Sequence, residues 1–266
     1  MKSKKIKQSK FKNKILLRIL QFVAITLIII SGFICFKYGP TISSLYDNAT
    51  TKVNNCTVDS FNTNKSNNTT ALNSKDPLYL TSSLIPKDVK NAFIAIEDKD
   101  FYKHGGVSIK AIFRSVYSIC TNDWKLTQGG STITQQLARN VFLNFDKNYK
   151  RKVEEMFIAT KLEKKFSKDQ ILEFYINNIY FNNNAYGINA AAKKYFNKDC
   201  RELNLSEICT LVAIPNDPEY YNPIKHLNNT LQRRNLVLEK MKEYGYITNE
   251  DYQSAINYKI VLNLSK

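Results

Sequence analysis

Two polar segments of this chain contain the residue types best suited to acid–base chemistry and anion binding. The first, residues 96–106, places Glu97 at the end of a pattern in which apolar residues recur on one helical face. The second, residues 129–140, is a glycine turn followed by the hydroxyl pair Ser131-Thr132, the amide pair Gln135-Gln136 and the cation Arg139. A base beside an anion site is what transfer of a sugar from a phosphate leaving group requires.

Glu97 is the candidate general base. The C-terminus of a helix disfavours negative charge, and apolar neighbours disfavour it further. Both effects favour the protonated form, which is the direction needed in a base that works near neutral pH. The alternative is an exposed carboxylate that pairs with Lys99 or Lys103.

Glu155 is the second candidate carboxylate. At 100° per residue it falls at the centre of the apolar stripe formed by residues 158, 159, 162 and 166. A carboxylate in such a stripe is costly unless it is paired or used. Arg151 and Lys152 flank the same face, so a structural ion pair is the alternative to an active-site role. Two inward carboxylates on different helices beside cations favour an active-site cleft.

An anion site is predicted where the glycine turn enters a helix near Thr132. The free N–H groups at the start of a helix and the helix dipole attract anions. Gln135, Gln136 and Arg139 add donors in the next two turns.

The elements that must position these residues are helical. After Pro86 no convincing period-two alternation occurs, so we expect one mainly α domain over residues 79–266. Pro215 and Gly245 mark helix ends. Four capping boxes or close relatives are predicted, namely Thr132/Gln135, Ser167/Gln170, Asn204/Glu207 and Thr248/Asp251.

The N-terminal region predicts a membrane anchor. Residues 1–18 form a basic cytoplasmic tail, and residues 19–38 are apolar enough to cross a bilayer as a helix. The positive-inside rule then places the rest of the chain outside the cytoplasm. A cleaved signal peptide is the alternative. Residues 39–78, rich in Asn, Ser and Thr, are predicted to be a flexible stalk.

Charge and cysteine content narrow the partners. The formal charge of +16 falls to +8 without the eight cations of the tail (31 Lys and Arg against 23 Asp and Glu), so the exported part is still basic. An exported domain seldom meets nucleic acid, so anionic lipid or a polyphosphate substrate is the better expectation. Five cysteines without a CxxC pair argue against a disulfide framework or a zinc site.

At this point the chain resembles the peptidoglycan glycosyltransferases, the lysozyme-like transglycosylase domains of bacterial cell-wall synthesis. The resemblance covers about residues 79–250. Five ordered blocks carry it: Glu97-Asp98-x-x-Phe101-x-x-His104-x-Gly106; Gly130 to Gln136; Arg151-Lys152-x-x-Glu155; Ile171-Leu172-Glu173-x-Tyr175-Ile176-Asn177; and Ala190 through Tyr221-Asn222-Pro223 to Arg233-Arg234.

The resemblance assigns roles to these residues. Glu97 matches the general base of the family and Glu155 its second essential carboxylate. The matching substrate-binding residues are Ser131, Thr132, Gln135, Gln136, Arg139, Lys147, Arg151 and Lys152. The family usually has Lys at 139 and Arg at 147, and its Tyr-Phe-Gly-Asn-Gly turn reads Tyr180-Phe181-Asn182-Asn183-Asn184 here. Asn tolerates the left-handed conformation better than most residues, so the turn is expected to survive.

The function implied is polymerisation of lipid II into glycan strands by inverting β-1,4 transfer, with release of undecaprenyl diphosphate. Glu155 would either orient the cations or hold a divalent ion such as magnesium or manganese. The implied setting is a bacterial cell membrane, crossed once, with lipid II, the lipid-linked glycan chain and cell-wall synthesis proteins as partners. The sequence has no Lys-Thr-Gly triplet, so it looks like the monofunctional form, without a transpeptidase domain.

Two rival functions remain open at this level. A muramidase-type hydrolase would use paired carboxylates on finished glycan and does not need the cation cluster. A membrane-tethered, inactive scaffold would need neither Glu97 nor Glu155.

Overall fold

The computed structural model describes residues 32, 36–57, 77–110, 130–143 and 148–264. The chain divides into two units, Met1–Asn48 and Ala49–Lys266. In the first unit, residues 36–48 are helical and expose Phe36, Tyr38, Ile42 and Tyr46. Within the described ranges no helix is both long and apolar enough to cross a bilayer. The predicted span at 19–38 lies outside these ranges, apart from residues 32 and 36–38.

The second unit is mainly helical, as predicted. Among the described residues its helices include α1 (Lys87–Glu97), α2 (Ile133–Phe142), α3 (Tyr149–Lys165), α4 (Lys168–Asn178), α5 (Ile188–Phe196), α6 (Leu205–Ala213), α7 (Leu227–Glu243) and α8 (Asn249–Asn257). Short 3-10 turns occupy Phe101–Lys103, Cys200–Glu202 and Ile214–Asn216. Across the described part of the chain, the β-type pairing is one isolated antiparallel bridge between Tyr180 and Tyr186.

The ends of these helices follow from local sequence. All four predicted capping boxes form. In each, the N-cap side chain accepts from the backbone N–H of the residue three positions later, and the side chain of that residue accepts from the backbone N–H of the N-cap. Pro215 falls in the 3-10 turn directly after α6. Gly245 follows the C-cap of α7 with φ +72°, a conformation that favours glycine.

Helix packing brings the candidate residues together. α1 packs on α6 and α7, while α2 packs on α3 and α4. Phe93 of α1 meets Tyr175 of α4 edge to face, with ring centroids 5.5 Å apart. The ends of α1, α2 and α4 are thereby fixed around one buried cluster.

The predicted flexible stalk is wrong for residues 39–54, which are helical. In the second unit, Ala49, Val53 and Cys56 are buried in the hydrophobic core. Lys165 of α3 donates to the carbonyls of residues 53, 54 and 56, at 2.9, 3.0 and 2.5 Å. These bonds satisfy backbone carbonyls at the C-terminal end of the helix that ends at residue 54. A few apolar positions at helical spacing were hidden in a polar average composition.

Three cysteines lie within the described ranges of the second unit. Cys56, Cys200 and Cys209 are free and buried. Burial raises the pKa of Cys200 to about 12, and it also raises the pKa of Cys209, so both stay protonated thiols. They act as small apolar residues in the core.

Candidate active site

Glu97 is the last residue of α1, and its carboxylate lies between α2 and α7. Its Oε2 accepts a hydrogen bond from Nε2 of Gln136 at 2.8 Å. Its Oε1 lies 3.7 Å from Nη2 of Arg233, and the side chains of Glu97 and Arg233 are each 14% exposed. The carboxylate is therefore partly desolvated, with one neutral donor and one cation facing it.

The alternative pairing of Glu97 with nearby lysines is not what the structure shows. Lys99 lies over the ring of Tyr244, 5.3 Å from its centroid. Lys103 pairs with Asp100 at 3.2 Å. The partners of Glu97 come from distant helices instead.

Tyr175 on α4 completes the surroundings of Glu97. Its hydroxyl donates to Oε1 of Gln136 at 3.1 Å. Burial raises the pKa of Tyr175 well above its usual range, and the nearby charge of Glu97 adds to this rise. The phenol therefore stays a donor, and the Gln136 amide presents its NH2 group to Glu97.

The start of α2 differs from the predicted anion site. The N–H of Ile133 donates to Oδ2 of Asp98 at 3.0 Å, so a carboxylate of the protein itself occupies the helix N-terminus. Asp98 is also bound by Nε2 of His104 at 2.9 Å. The N–H of Ile133 therefore connects the start of α2 to Asp98, the residue that follows α1.

The predicted substrate residues of this segment divide into two groups. Thr132 and Gln135 are buried, because they form the capping box, and the Thr132 hydroxyl donates to the carbonyl of Gly106 at 2.6 Å. Ser131, Gln136 and Arg139 are partly exposed. Thr132 and Gln135 thus hold the segment in place, while the other three line its accessible side.

Glu155 is fully buried on α3 beside Ile158, Ala159 and Leu162, as the helical periodicity predicts. One of its oxygens accepts from Arg151 at 2.8 Å and the other accepts from Lys152. The ion pair raised as an alternative is therefore present. A divalent ion at Glu155 would compete with these two cations, so the arrangement suits the orienting role better than the metal role.

Lys152 connects Glu155 to the start of the α2 segment. Its Nζ also donates to Oγ of Ser131 at 2.9 Å. Residues 131–136 therefore contact Glu97 directly, through Gln136, and Glu155 indirectly, through Ser131 and Lys152. Of the predicted site residues, Lys147 lies outside the described ranges.

A cleft of about 540 Å³ opens beside this ion pair. Its lining combines cations, one carboxylate and apolar side chains, namely Lys52, Phe142, Leu143, Asn148, Tyr149, Lys150, Arg151 and Glu154.

Tyr175 and Arg233 lie in the fourth and fifth sequence blocks, but the sequence alone predicted no role for either residue. The adjacent arginines of α7 differ in kind. Arg234 is buried and donates to the carbonyls of Ala255, Ile256 and Tyr258 at the end of α8, whereas Arg233 faces Glu97. On a helix, adjacent side chains point about 100° apart, so Arg233 and Arg234 must face different neighbours. Nothing in the local sequence identifies which of the two arginines faces Glu97.

The asparagine turn has the predicted left-handed backbone. Asn182, Asn183 and Asn184 have φ values of +64°, +49° and +62°. Asn182 donates to the carbonyl of Pro218 at 2.7 Å, and Asn183 donates to the Tyr195 hydroxyl at 3.0 Å. These side-chain bonds fix a turn that glycine would form with less strain.

Comparison with known proteins identifies the family. Residues 64–242 match the family model described as Transglycosylase. Penicillin-binding protein 1A of Aquifex aeolicus is 46% identical over 179 residues, which are 67% of this chain and 24% of the relative. Penicillin-binding protein 1F of Bacillus subtilis is 45% identical over 182 residues, 68% of this chain and 25% of that protein. The chain spans about a quarter of the length of these relatives.

The chain therefore belongs to the transglycosylase family, glycosyltransferase family 51. Membership places it in the peptidoglycan glycosyltransferase class of enzymes. Among solved structures, penicillin-binding protein 1A of Haemophilus influenzae aligns with 70% of this chain and 18% of its own, at 24% identity and a TM-score of 0.42.

Proposed function

We propose that this chain polymerises lipid II into glycan strands by inverting β-1,4 transfer and releases undecaprenyl diphosphate. The domain at residues 79–266 would have the lysozyme-like arrangement of its family. The apolar segment 19–38 would anchor it in the bacterial cell membrane, with residues 1–18 in the cytoplasm and the catalytic domain outside.

The observation that carries this proposal is the shared contact of both carboxylates with residues 131–136. Gln136 binds Glu97 at 2.8 Å, and Ser131 binds Lys152, which also pairs with Glu155. Residues 131–136 thus lie between two different carboxylates. Glu97 is partly exposed and has no close hydrogen bond from a cation, whereas each oxygen of the buried Glu155 accepts from a cation. A base on one side and an anion-binding group on the other is the arrangement that glycosyl transfer from a diphosphate needs.

Glu97 would act as the general base. It would take the proton from the 4-hydroxyl of the acceptor N-acetylglucosamine as that oxygen attacks C1 of the lipid-linked N-acetylmuramic acid. The bond from C1 to the diphosphate oxygen breaks, and its electron pair leaves with the diphosphate. Attack on the face opposite the leaving group converts the α linkage into a β-1,4 bond.

Arg139, Lys147, Arg151 and Lys152 would stabilise the departing diphosphate, which gains negative charge during the reaction. Glu155 would orient Arg151 and Lys152, since both bind its buried carboxylate. A pair fixed before substrate arrives needs less reorganisation in the transition state. The cleft beside Arg151 offers apolar surface for the lipid end of the substrate.

The test uses the full chain purified in detergent and supplied with lipid II. We expect Glu97→Gln to abolish glycan formation without lowering the thermal unfolding midpoint. Glu239→Gln, at an exposed position on α7, is the matched control and should polymerise normally. Near-normal chain formation by Glu97→Gln would refute the base assignment.

The same preparation separates the rival activities. Incubation with purified cell-wall sacculi should release no soluble muropeptides, whereas release without polymer from lipid II would favour the hydrolase. Absence of both activities in the folded wild-type protein would favour the scaffold. Assays with and without chelator determine whether magnesium or manganese takes part.

A further inference from the structure

The side chain of Arg233 is held between an aromatic ring and the carboxylate of Glu97. Its guanidinium lies over the ring of Tyr221, 5.3 Å from the centroid, and its side chain is 14% exposed. Its Nε is buried and has no hydrogen-bond partner within the described ranges. A guanidinium that stacks on one side and approaches a carboxylate on another is restricted in direction without being neutralised by a close bond.

Tyr221 is itself held firmly. Its N–H donates to the carbonyl of Asp217, and its own carbonyl accepts from the Thr230 hydroxyl, both at 2.9 Å. Asn182 fastens the same loop through the carbonyl of Pro218 and through Glu219. The ring under Arg233 is therefore part of a braced loop, and the asparagine turn contributes to the bracing.

We propose that Arg233, seated on Tyr221, is a positioning residue that places a positive charge beside the Glu97 carboxylate and orients that carboxylate toward the acceptor hydroxyl. The inference rests on the proposed role of Glu97 as general base. At 3.7 Å the cation acts on the charge of Glu97 but leaves Oε1 open to accept a proton. A closer bidentate pair would hold the carboxylate more strongly and make it a poorer base.

Arg233 is not the only described group near Glu97. Gln136 binds its other oxygen and is neutral. Around the Tyr175 hydroxyl that supports Gln136, the charges of Glu97 and Asp98 are opposed by those of Arg139 and Arg233. Arg233 is therefore the cation placed beside Oε1 of Glu97, while Gln136 binds Oε2.

The expected effect is a change in pH dependence. An opposite charge within about 4 to 6 Å stabilises the ionised form of a carboxyl group and generally lowers its pKa by roughly one to three units. We therefore expect the acidic limb of kcat/KM in Arg233→Ala to move to higher pH by roughly one unit. Arg233→Lys should recover part of the shift, because it restores charge but not the stacked planar fork.

The experiment measures lipid II polymerisation by the full chain in detergent across pH, together with thermal unfolding of each variant. Tyr221→Ala should move the acidic limb in the same direction as Arg233→Ala, and Tyr221→Phe should leave it in place because the ring remains. Lys242→Ala, another cation of α7 that lies over an aromatic ring, is the control. If Arg233→Ala does not fold, Arg233→Lys and Tyr221→Ala provide the same measurement.

An unmoved acidic limb in folded Arg233→Ala, or in its two substitutes, overturns the inference, even if the activity is lower. A raised KM at constant limb position would likewise overturn it, because that result assigns Arg233 to substrate binding. Glu97→Gln is assayed alongside. If that variant is active, the proposed function fails; if it is inactive while the limb stays fixed in Arg233→Ala, only the positioning role fails.

Discussion

The hydroxyl of Tyr175 and the amide oxygen of Gln136, 3.1 Å apart, determine which end of the amide meets Glu97. Because burial raises the pKa of Tyr175 well above its usual range, the phenol remains protonated and donates throughout the pH range of an assay. The Gln136 oxygen accepts that bond, and its NH2 group is directed to Glu97 at 2.8 Å. A tyrosine that does not touch the base thus controls its donor.

We expect Tyr175→Phe to lower kcat by about 5- to 30-fold, with a smaller change in KM. The loss corresponds to roughly 1 to 2 kcal/mol for one buried hydrogen bond. Without the hydroxyl the amide is free to turn its oxygen toward Glu97, which repels the ionised base. Steady-state kinetics on lipid II measure the effect, and Tyr102→Phe, whose hydroxyl bonds to Asp169 in an exposed position, serves as control. Unchanged kcat in Tyr175→Phe would show that the amide is oriented by other contacts.

Gly106 brings the backbone of the first motif close to that of α3. Its φ is +91°, and a Cβ there would lie 2.6 Å from the carbonyl oxygen of Ala159. We expect Gly106→Ala to destabilise the protein by at least about 2 kcal/mol, since the left-handed backbone alone costs roughly 1 to 2 kcal/mol for an L residue. Gly105→Ala meets no atom within 4 Å and should be neutral. Equal unfolding midpoints for the two variants would contradict the close approach.

Local sequence contained much of the fold. The four capping boxes formed because each depends on two side chains three residues apart and on the first turn of its own helix. The burial of Glu155 followed from the 100° period of α3, which is a property of a single element. Such features need no knowledge of the partner helix.

Features that depend on distant partners escaped prediction. The N–H groups at the start of α2 were expected to bind a ligand, but Asp98, directly after α1, accepts from one of them, the N–H of Ile133. Arg233 and Arg234 were indistinguishable as a sequence pair, and only the packing of α7 against α1 directs the first to Glu97. The helical residues 49–54 of the second unit were missed because their support comes from contacts with α3, such as that of Lys165 with the carbonyl of Val53, which composition does not reveal.

The asparagine turn allows a stability prediction that separates backbone strain from side-chain bonding. Asn184 is exposed and has φ +62°. Asn184→Ala should destabilise by about 1 kcal/mol, because alanine tolerates the left-handed region less well than asparagine. Asn184→Gly should be neutral or slightly stabilising, because glycine adopts positive φ without steric cost. Thermal unfolding in detergent compares them, with Asn228→Ala in the first turn of α7 as a control expected to do no harm. A midpoint for Asn184→Ala equal to that of Asn184→Gly would mean that the turn carries no strain.

Arg139 supplies the most direct test of the cationic side of the proposed site. It stands on α2 one turn after Gln136, and its charge lowers the pKa of Tyr175 against the larger effect of burial, so it faces the same cluster as Glu97. If it binds the diphosphate, its removal weakens an interaction with a group that gains charge in the transition state, and the loss appears in kcat as well as in KM.

A charge-assisted contact in a partly dry cleft contributes roughly 1.5 to 3 kcal/mol, so Arg139→Ala should reduce polymerisation by roughly 10- to 100-fold. Arg139→Lys should recover most of the activity, because it keeps a positive charge at this position for the diphosphate. Lys242→Ala, on α7, should remain fully active. Polymerisation at limiting lipid II measures all three variants, and full activity of Arg139→Ala would assign this residue to a solvated face of α2 and leave Arg151 and Lys152 as the described cations of the site.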